Sequence, residues 1–198
     1  MLLCGTTTEP GQRSYESALT LYRELGDRLG ESRTLEGIGA LAYFNGDLAV
    51  AERSYSDALT TYRAVGERLG EANALRGLAV VDLLEGRDET EALQASDSLA
   101  TFAQDQHGAL LSQAFLAVAD PTPGAAADLD GLAASFSSFG LPWEAFLARA
   151  MARLKAGDTA TAASLLRERP ETSLLAQEIL QATPEEAIKL LLPYLPIA

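Results

Sequence analysis

Lysine is almost missing from this chain. Of 198 residues only Lys155 and Lys189 are lysines, and 28 acidic residues outnumber 15 basic ones, for a net charge of −13. Affinity for nucleic acid comes mainly from Lys and Arg neutralising phosphates, so this balance argues against nucleic-acid binding. Anionic membrane surfaces are disfavoured for the same reason. Basic or amphipathic protein partners remain compatible. Cys4 is the only cysteine and His107 the only histidine. An internal disulfide and a Cys/His zinc site are therefore both excluded, and the expected setting is a reducing one, the cytoplasm. No apolar run approaches the roughly eighteen residues of a membrane-spanning helix. Nor is a secretory signal visible: Leu2-Leu3-Cys4-Gly5 looks like the end of a lipoprotein leader but lacks the basic start and apolar stretch before it.

Strand-type alternation is absent too, and what is present instead is self-similarity. Arg13 to Gly46 returns forty residues later as Arg53 to Gly86, with sixteen of thirty-four paired positions identical. The retained pairs include Tyr15/Tyr55, Ala18/Ala58, Leu19/Leu59, Tyr22/Tyr62, Arg23/Arg63, Gly30/Gly70, Glu31/Glu71, Leu35/Leu75 and Gly37/Gly77. A period of this size marks a stacked architecture in which each unit buries its apolar face against its neighbours.

Within each copy the apolar spacing is helical, as in Tyr15, Ala18, Leu19, Tyr22 and Leu25, then Leu35, Ile38, Leu41 and Ala42. Glycine closes each segment at 26, 46, 66, 86, 140 and 157, where a helix end favours positive φ. An acid follows in Gly26-Asp27, Gly46-Asp47, Gly66-Glu67 and Gly157-Asp158, placed to start the next helix. Helices are expected over 12–25, 28–45, 47–65, 68–85, 88–105, 107–119, 123–139, 142–156, 158–168, 171–181 and 184–192. Pro123 is read as opening the seventh, and Thr183-Pro184-Glu185-Glu186 as a capping box. Short connections make successive helices antiparallel neighbours. The pattern predicts one repeat domain over 1–198: an incomplete unit 1–26, clear repeats 27–66 and 67–106, a degenerate repeat 107–140, a fourth repeat 141–169 and capping helices 170–198.

One unit reads Leu35, Ile38, Gly39, Gly46-Asp47, Ala51, Tyr55 and Ala58. This resembles the tetratricopeptide repeat in a forty-residue variant, strongly over 13–86, fairly over 130–168 and weakly elsewhere. The second copy keeps Leu75, Leu78, Ala79 and Gly86, but Glu91 and Ala95 depart from the pattern on its second helix. The resemblance implies an all-α, right-handed α–α superhelix of about eleven antiparallel helices. Small residues let helices approach while the aromatic fills the gap between pairs. The run Leu21-Tyr22-Arg23-Glu24-Leu25-Gly26-Asp27-Arg28-Leu29-Gly30 is similar to arrays in large bacterial ATPase-type regulators, although this chain carries no GxxxxGK[ST] phosphate loop. In repeat phase, Met1–Gly5 falls on the tail of a first helix, so the N-terminal end is expected to be open: part of a longer array, or covered by another chain through self-association.

By the same resemblance a ligand-facing groove would include Arg33, Glu36, Tyr43, Phe44, Asn73, Arg76, Val80, Leu83, Leu84 and Met151. The alternative is that Tyr43, Phe44, Leu83 and Leu84 are core residues. The leading expectation is a non-catalytic scaffold that binds a protein or amphipathic peptide, with no cofactor or metal. The rivals are a sensor segment of a larger transcriptional or ATPase-coupled regulator, and an enzyme on a helical frame. Tyr22-Arg23 and Tyr62-Arg63 read as tyrosines packed between units, with arginines paired to Glu24 or Glu67. His107 reads as a helix-start residue, Ser135, Ser137 and Ser138 form no nucleophile elbow, and Trp143 reads as a packing anchor.

Overall fold

A computed structural model describes residues 8–197; the readings placed on Met1–Gly5 lie outside them. The described residues form eleven α-helices and no strand. In chain order they are α1 Thr8–Leu25, α2 Arg28–Phe44, α3 Leu48–Val65, α4 Arg68–Glu85, α5 Thr90–Phe102 and α6 Gln106–Ala119. There follow α7 Ala125–Ser138, α8 Pro142–Lys155, α9 Thr159–Arg167, α10 Leu175–Ile179 and α11 Pro184–Leu191, with a 3-10 turn over Leu192–Tyr194. The chain divides into two compact units, one comprising Met1–Ala109 with Ile197–Ala198, the other Leu110–Pro196.

The helix ends have a local cause. All six glycines read as stops take φ between +70° and +78°. After each of the first four helices the chain turns identically: the glycine N–H donates three residues back (Gly26 to Arg23, Gly46 to Tyr43, Gly66 to Arg63, Gly86 to Leu83), and the next N–H donates five back (Asp27 to Tyr22, Asp47 to Ala42, Glu67 to Tyr62, Arg87 to Asp82). The acid then accepts from the new helix: Asp27 from Gly30 N at 2.9 Å, Asp47 from Val50 N at 3.2 Å, Glu67 from Gly70 N at 2.6 Å and Asp158 from Thr161 N at 3.0 Å. Each cap satisfies a donor the helix leaves unpaired, worth about 1 kcal/mol. Thr183 and Glu186 form the reciprocal capping box expected at α11.

Where bounds differ, side chains compete with the backbone. Asp88 accepts from Thr90 N, so α5 starts at Thr90. Asp120 accepts from both the N–H and the hydroxyl of Thr122, holding a turn that delays α7 to Ala125 rather than Pro123. Thr172 donates its hydroxyl to Leu166 O and its N–H to Arg169 O, which shortens the tenth helix to Leu175–Ile179.

In the first unit α1 packs on α2, α2 on α3, α3 on α4 and α4 on α5, and α2 also meets α4, its equivalent one repeat on. Their shared core is Leu35, Ala58, Leu59, Tyr62, Ala74 and Leu75, flanked by Leu19, Leu29, Leu78 and Leu99. The tyrosines and glycines that recur in the sequence meet in space. A Cβ added at Gly30 or Gly70 would fall 2.4 Å from the ring of Tyr22 or Tyr62. One added at Gly37 would lie 2.5 Å from Tyr15, and at Gly77 2.6 Å from Tyr55. Tyr55 of α3 also touches Gly39 of α2, so its ring fills the gap between α2 and α4. The arginines beside these rings pair otherwise than expected: Arg23 Nε meets Glu31 at 2.7 Å and Arg63 Nε meets Glu71 at 2.9 Å. Glu67 is committed to its cap, while Glu31 and Glu71 sit one helix onward at the right height. These exposed pairs contribute little, about 0–1 kcal/mol each.

In the second unit α7 packs on α8, α8 on α9 and α11, and α10 on both α9 and α11. Leu129, Phe136, Leu147, Met151, Leu166 and Leu191 are buried there. Trp143 stacks on Phe146, with centroids 5.7 Å apart, and donates Nε1–H to Tyr194 O at 2.9 Å, tying the 3-10 turn to α8.

Candidate functional site: a polar seam across the first helices of two repeats

Glu36 on α2 and Arg76 on α4 occupy the same repeat phase, between Leu35/Leu75 and Gly37/Gly77. The helices that bring Leu35 and Leu75 into one core therefore bring the two charges to one seam. They are joined through an amide. Asn73, one turn before Arg76 on α4, donates Nδ2–H to Glu36 Oε1 at 3.2 Å and accepts from Arg76 Nη2 at 2.7 Å. The hydroxyl of Tyr62 on α3 donates to Glu36 Oε2 at 2.7 Å. Both carboxylate oxygens are thus occupied.

Arg76 is 1 % exposed. Besides Asn73, its Nη1 donates to Ser96 Oγ at 3.4 Å and to Gly108 O at 3.1 Å, and its Nε to Ile197 O. Ser96 in turn donates to Ala72 O at 2.8 Å. Burial pushes the guanidinium down to about 10, against the opposing pull of Asp105 and Glu36, so it stays charged at neutral pH. Burial likewise raises the Glu36 carboxyl, with Tyr62, Asn73 and Arg76 working to lower it.

The residues expected to line a groove are distributed unevenly. Arg33 and Phe44 are exposed, Glu36, Asn73, Leu83 and Leu84 half-buried, and Tyr43, Arg76 and Val80 buried. Met151 is buried on α8 in the second unit. Tyr43 meets Phe44 edge to face at 5.6 Å. The seam draws Glu36, Asn73 and Arg76 together; Tyr62, Ser96 and the carbonyls of Gly108 and Ile197 complete it and were not anticipated. The available signal was the reversal of charge at one phase, Glu36 against Arg76, within otherwise matching copies.

The side-chain hydroxyls of Tyr43 and Tyr55 are buried with no hydrogen-bond partner among the described residues. Burial raises both phenols above their ordinary value. Tyr55→Phe should therefore leave stability unchanged or slightly higher. Tyr62→Phe should cost about 1.5 kcal/mol, because it strips the donor from Glu36 Oε2. Denaturant unfolding of the two variants side by side checks the contrast.

Other features read for chemistry are structurally employed. The hydroxyls of Ser135, Ser137 and Ser138 bond back to Gly131, Ala133 and Ser135 carbonyls. His107 lies in the first turn of α6. Among the described residues no group of three or more His, Cys, Asp or Glu is arranged to hold a metal, and no helix is long and apolar enough to cross a membrane. The second unit has an open cleft of about 580 Å³ bordered by Phe146, Arg149 and Arg169, with Arg169 over the Phe146 ring at 4.8 Å.

The chain matches no protein-family model and no curated protein. The likeness to tetratricopeptide repeats rests on the residues themselves.

Proposed function

We propose that this chain is a non-catalytic, tetratricopeptide-like binding module, whose α2–α4 face receives a segment of another protein or a peptide. One observation carries the reading: the buried guanidinium of Arg76 is used to hold main-chain carbonyls, those of Gly108 and Ile197. A planar, permanently charged donor fork suits the recognition of fixed acceptors. Its carboxylate counterpart, Glu36, has both oxygens occupied by donors and is not presented to a nucleophile. Arg33 and Phe44 supply exposed charge and apolar area on the same helix. A cytoplasmic setting belongs to the same proposal, supported by the single cysteine.

The test is a displayed library of linear peptides, selected on the wild-type chain and rebound to Phe44→Glu and Arg33→Glu. Both sites are exposed, so helix content should be unchanged. Selected peptides are expected to lose at least tenfold in affinity for one or both variants. No enrichment, or binding indifferent to both substitutions, overturns the reading.

A further inference from the structure

Arg76 has acceptors of two origins. Asn73, Ser96 and Gly108 belong to the helices around it, within 32 residues along the chain. Ile197 lies 121 residues away in sequence, yet its carbonyl meets Nε and it counts with the first unit. Residues 195–197 are non-helical, with Leu195 extended at φ −83° and ψ 127°. The Ile197 carbonyl therefore has no helical commitment and points its lone pairs at a donor. Its side chain is inserted as well as its carbonyl: Ile197 is 3 % exposed. An aliphatic residue in non-helical chain, presenting one carbonyl to a buried guanidinium, is placed as a bound peptide residue would be.

We propose that Ile197 is an internal ligand of the first unit, occupying on Arg76 the place of a partner's main-chain carbonyl, so that partner and residue 197 exclude one another. This rests on the peptide-binding reading and narrows it. The partner segment is extended, carries an aliphatic side chain beside the recognised carbonyl, and enters by displacing Ile197. Specificity lies in the apolar side chain and the backbone acceptor. A partner anchored by an acidic side chain would instead meet Glu36 on the same seam. The covered state is the resting one, and affinity for any partner is reduced by the fraction of molecules in which Ile197 is seated.

The experiment compares the wild-type chain with Ile197→Asp, which expels the buried side chain while keeping the full length, and with a chain lacking 197–198. Circular dichroism and thermal melting establish that each is folded. The probe is a synthetic peptide, acetyl-Tyr-Leu-Pro-Ile-Ala, titrated by calorimetry or by chemical-shift change. Ile197→Asp and the shortened chain are expected to bind it at least tenfold more tightly than wild type. The same peptide with aspartate in place of isoleucine is expected to bind none of them. Equal binding to all three chains, or to none of them while library-selected peptides still bind all three alike, overturns the internal-ligand proposal and leaves the peptide-binding reading standing. Library peptides that ignore Phe44→Glu and Arg33→Glu remove the reading itself, whatever Ile197→Asp does.

Discussion

Gly77→Ala should destabilise this protein by about 1–3 kcal/mol, although the same exchange in an ordinary helix interior stabilises by about 1 kcal/mol. The reversal comes from contact. Gly77 lies within α4, where alanine is the better helix former, but its new methyl would stand 2.6 Å from Cζ of Tyr55. Tyr55 cannot retreat: it is 1 % exposed, and on its other side even a Cβ added at Gly39 would stand only 3.0 Å from the ring. Either α4 moves away from α3 or the ring leaves its rotamer, and both disturb the interior of the first unit. Gly131→Ala is the internal control. Gly131 lies in α7 with nothing within 4 Å of the added carbon, and should raise stability by about 0.5–1 kcal/mol. Gly37→Ala should fall between them, because its ring, Tyr15, is 37 % exposed and can swing outward. Thermal melting of the three variants gives the order directly. A Gly77→Ala protein that melts above wild type would show that α3 and α4 do not approach through that glycine.

Arg76→Met should be costlier still, about 3–5 kcal/mol. Methionine fills much of the space but donates nothing, so Asn73 Oδ1 and the carbonyls of Gly108 and Ile197 lose a donor in a buried place. Arg76→Lys keeps the charge yet cannot span acceptors on several sides, and should recover only part of the loss. The Met variant also acquires a pH signature. The Glu36 carboxyl is already raised by burial, and Arg76 is one of the groups holding it down. Without that cation its folded pKa climbs further above the unfolded value. The folded state then binds more protons than the unfolded one, so the variant's stability grows as pH falls through the folded pKa and declines as pH rises. The deficit relative to wild type should therefore be larger at pH 8 than at pH 5, as read from denaturant midpoints.

Legibility in the sequence followed the range of the interaction. Glycine stops and acidic starts act within four or five residues, and Asp27, Asp47, Glu67 and Asp158 cap the helices they precede. Helical periodicity placed the elements of both units. The longer-range partners were legible only where the repeat wrote them twice, as with the tyrosine rings and the glycines beneath them. The arginine pairs show the limit. Glu24 and Glu67 are nearer along the chain, but the antiparallel turn sets Arg23 against Glu31 and Arg63 against Glu71. The polar seam was the least legible part, since two acceptors of Arg76 are main-chain carbonyls, which any residue can supply and no composition marks.

Each tyrosine and the glycine it covers lie at a fixed separation that is the same in both copies, and that separation is shorter than the repeat itself. A tandem duplication of forty residues would therefore copy knob and socket together, already matched. Such a chain can lengthen by whole modules without any compensating substitution, whereas a change confined to one member of a pair must wait for its counterpart. That gives a physical reason for the two residue types to recur together at the same phase in both copies.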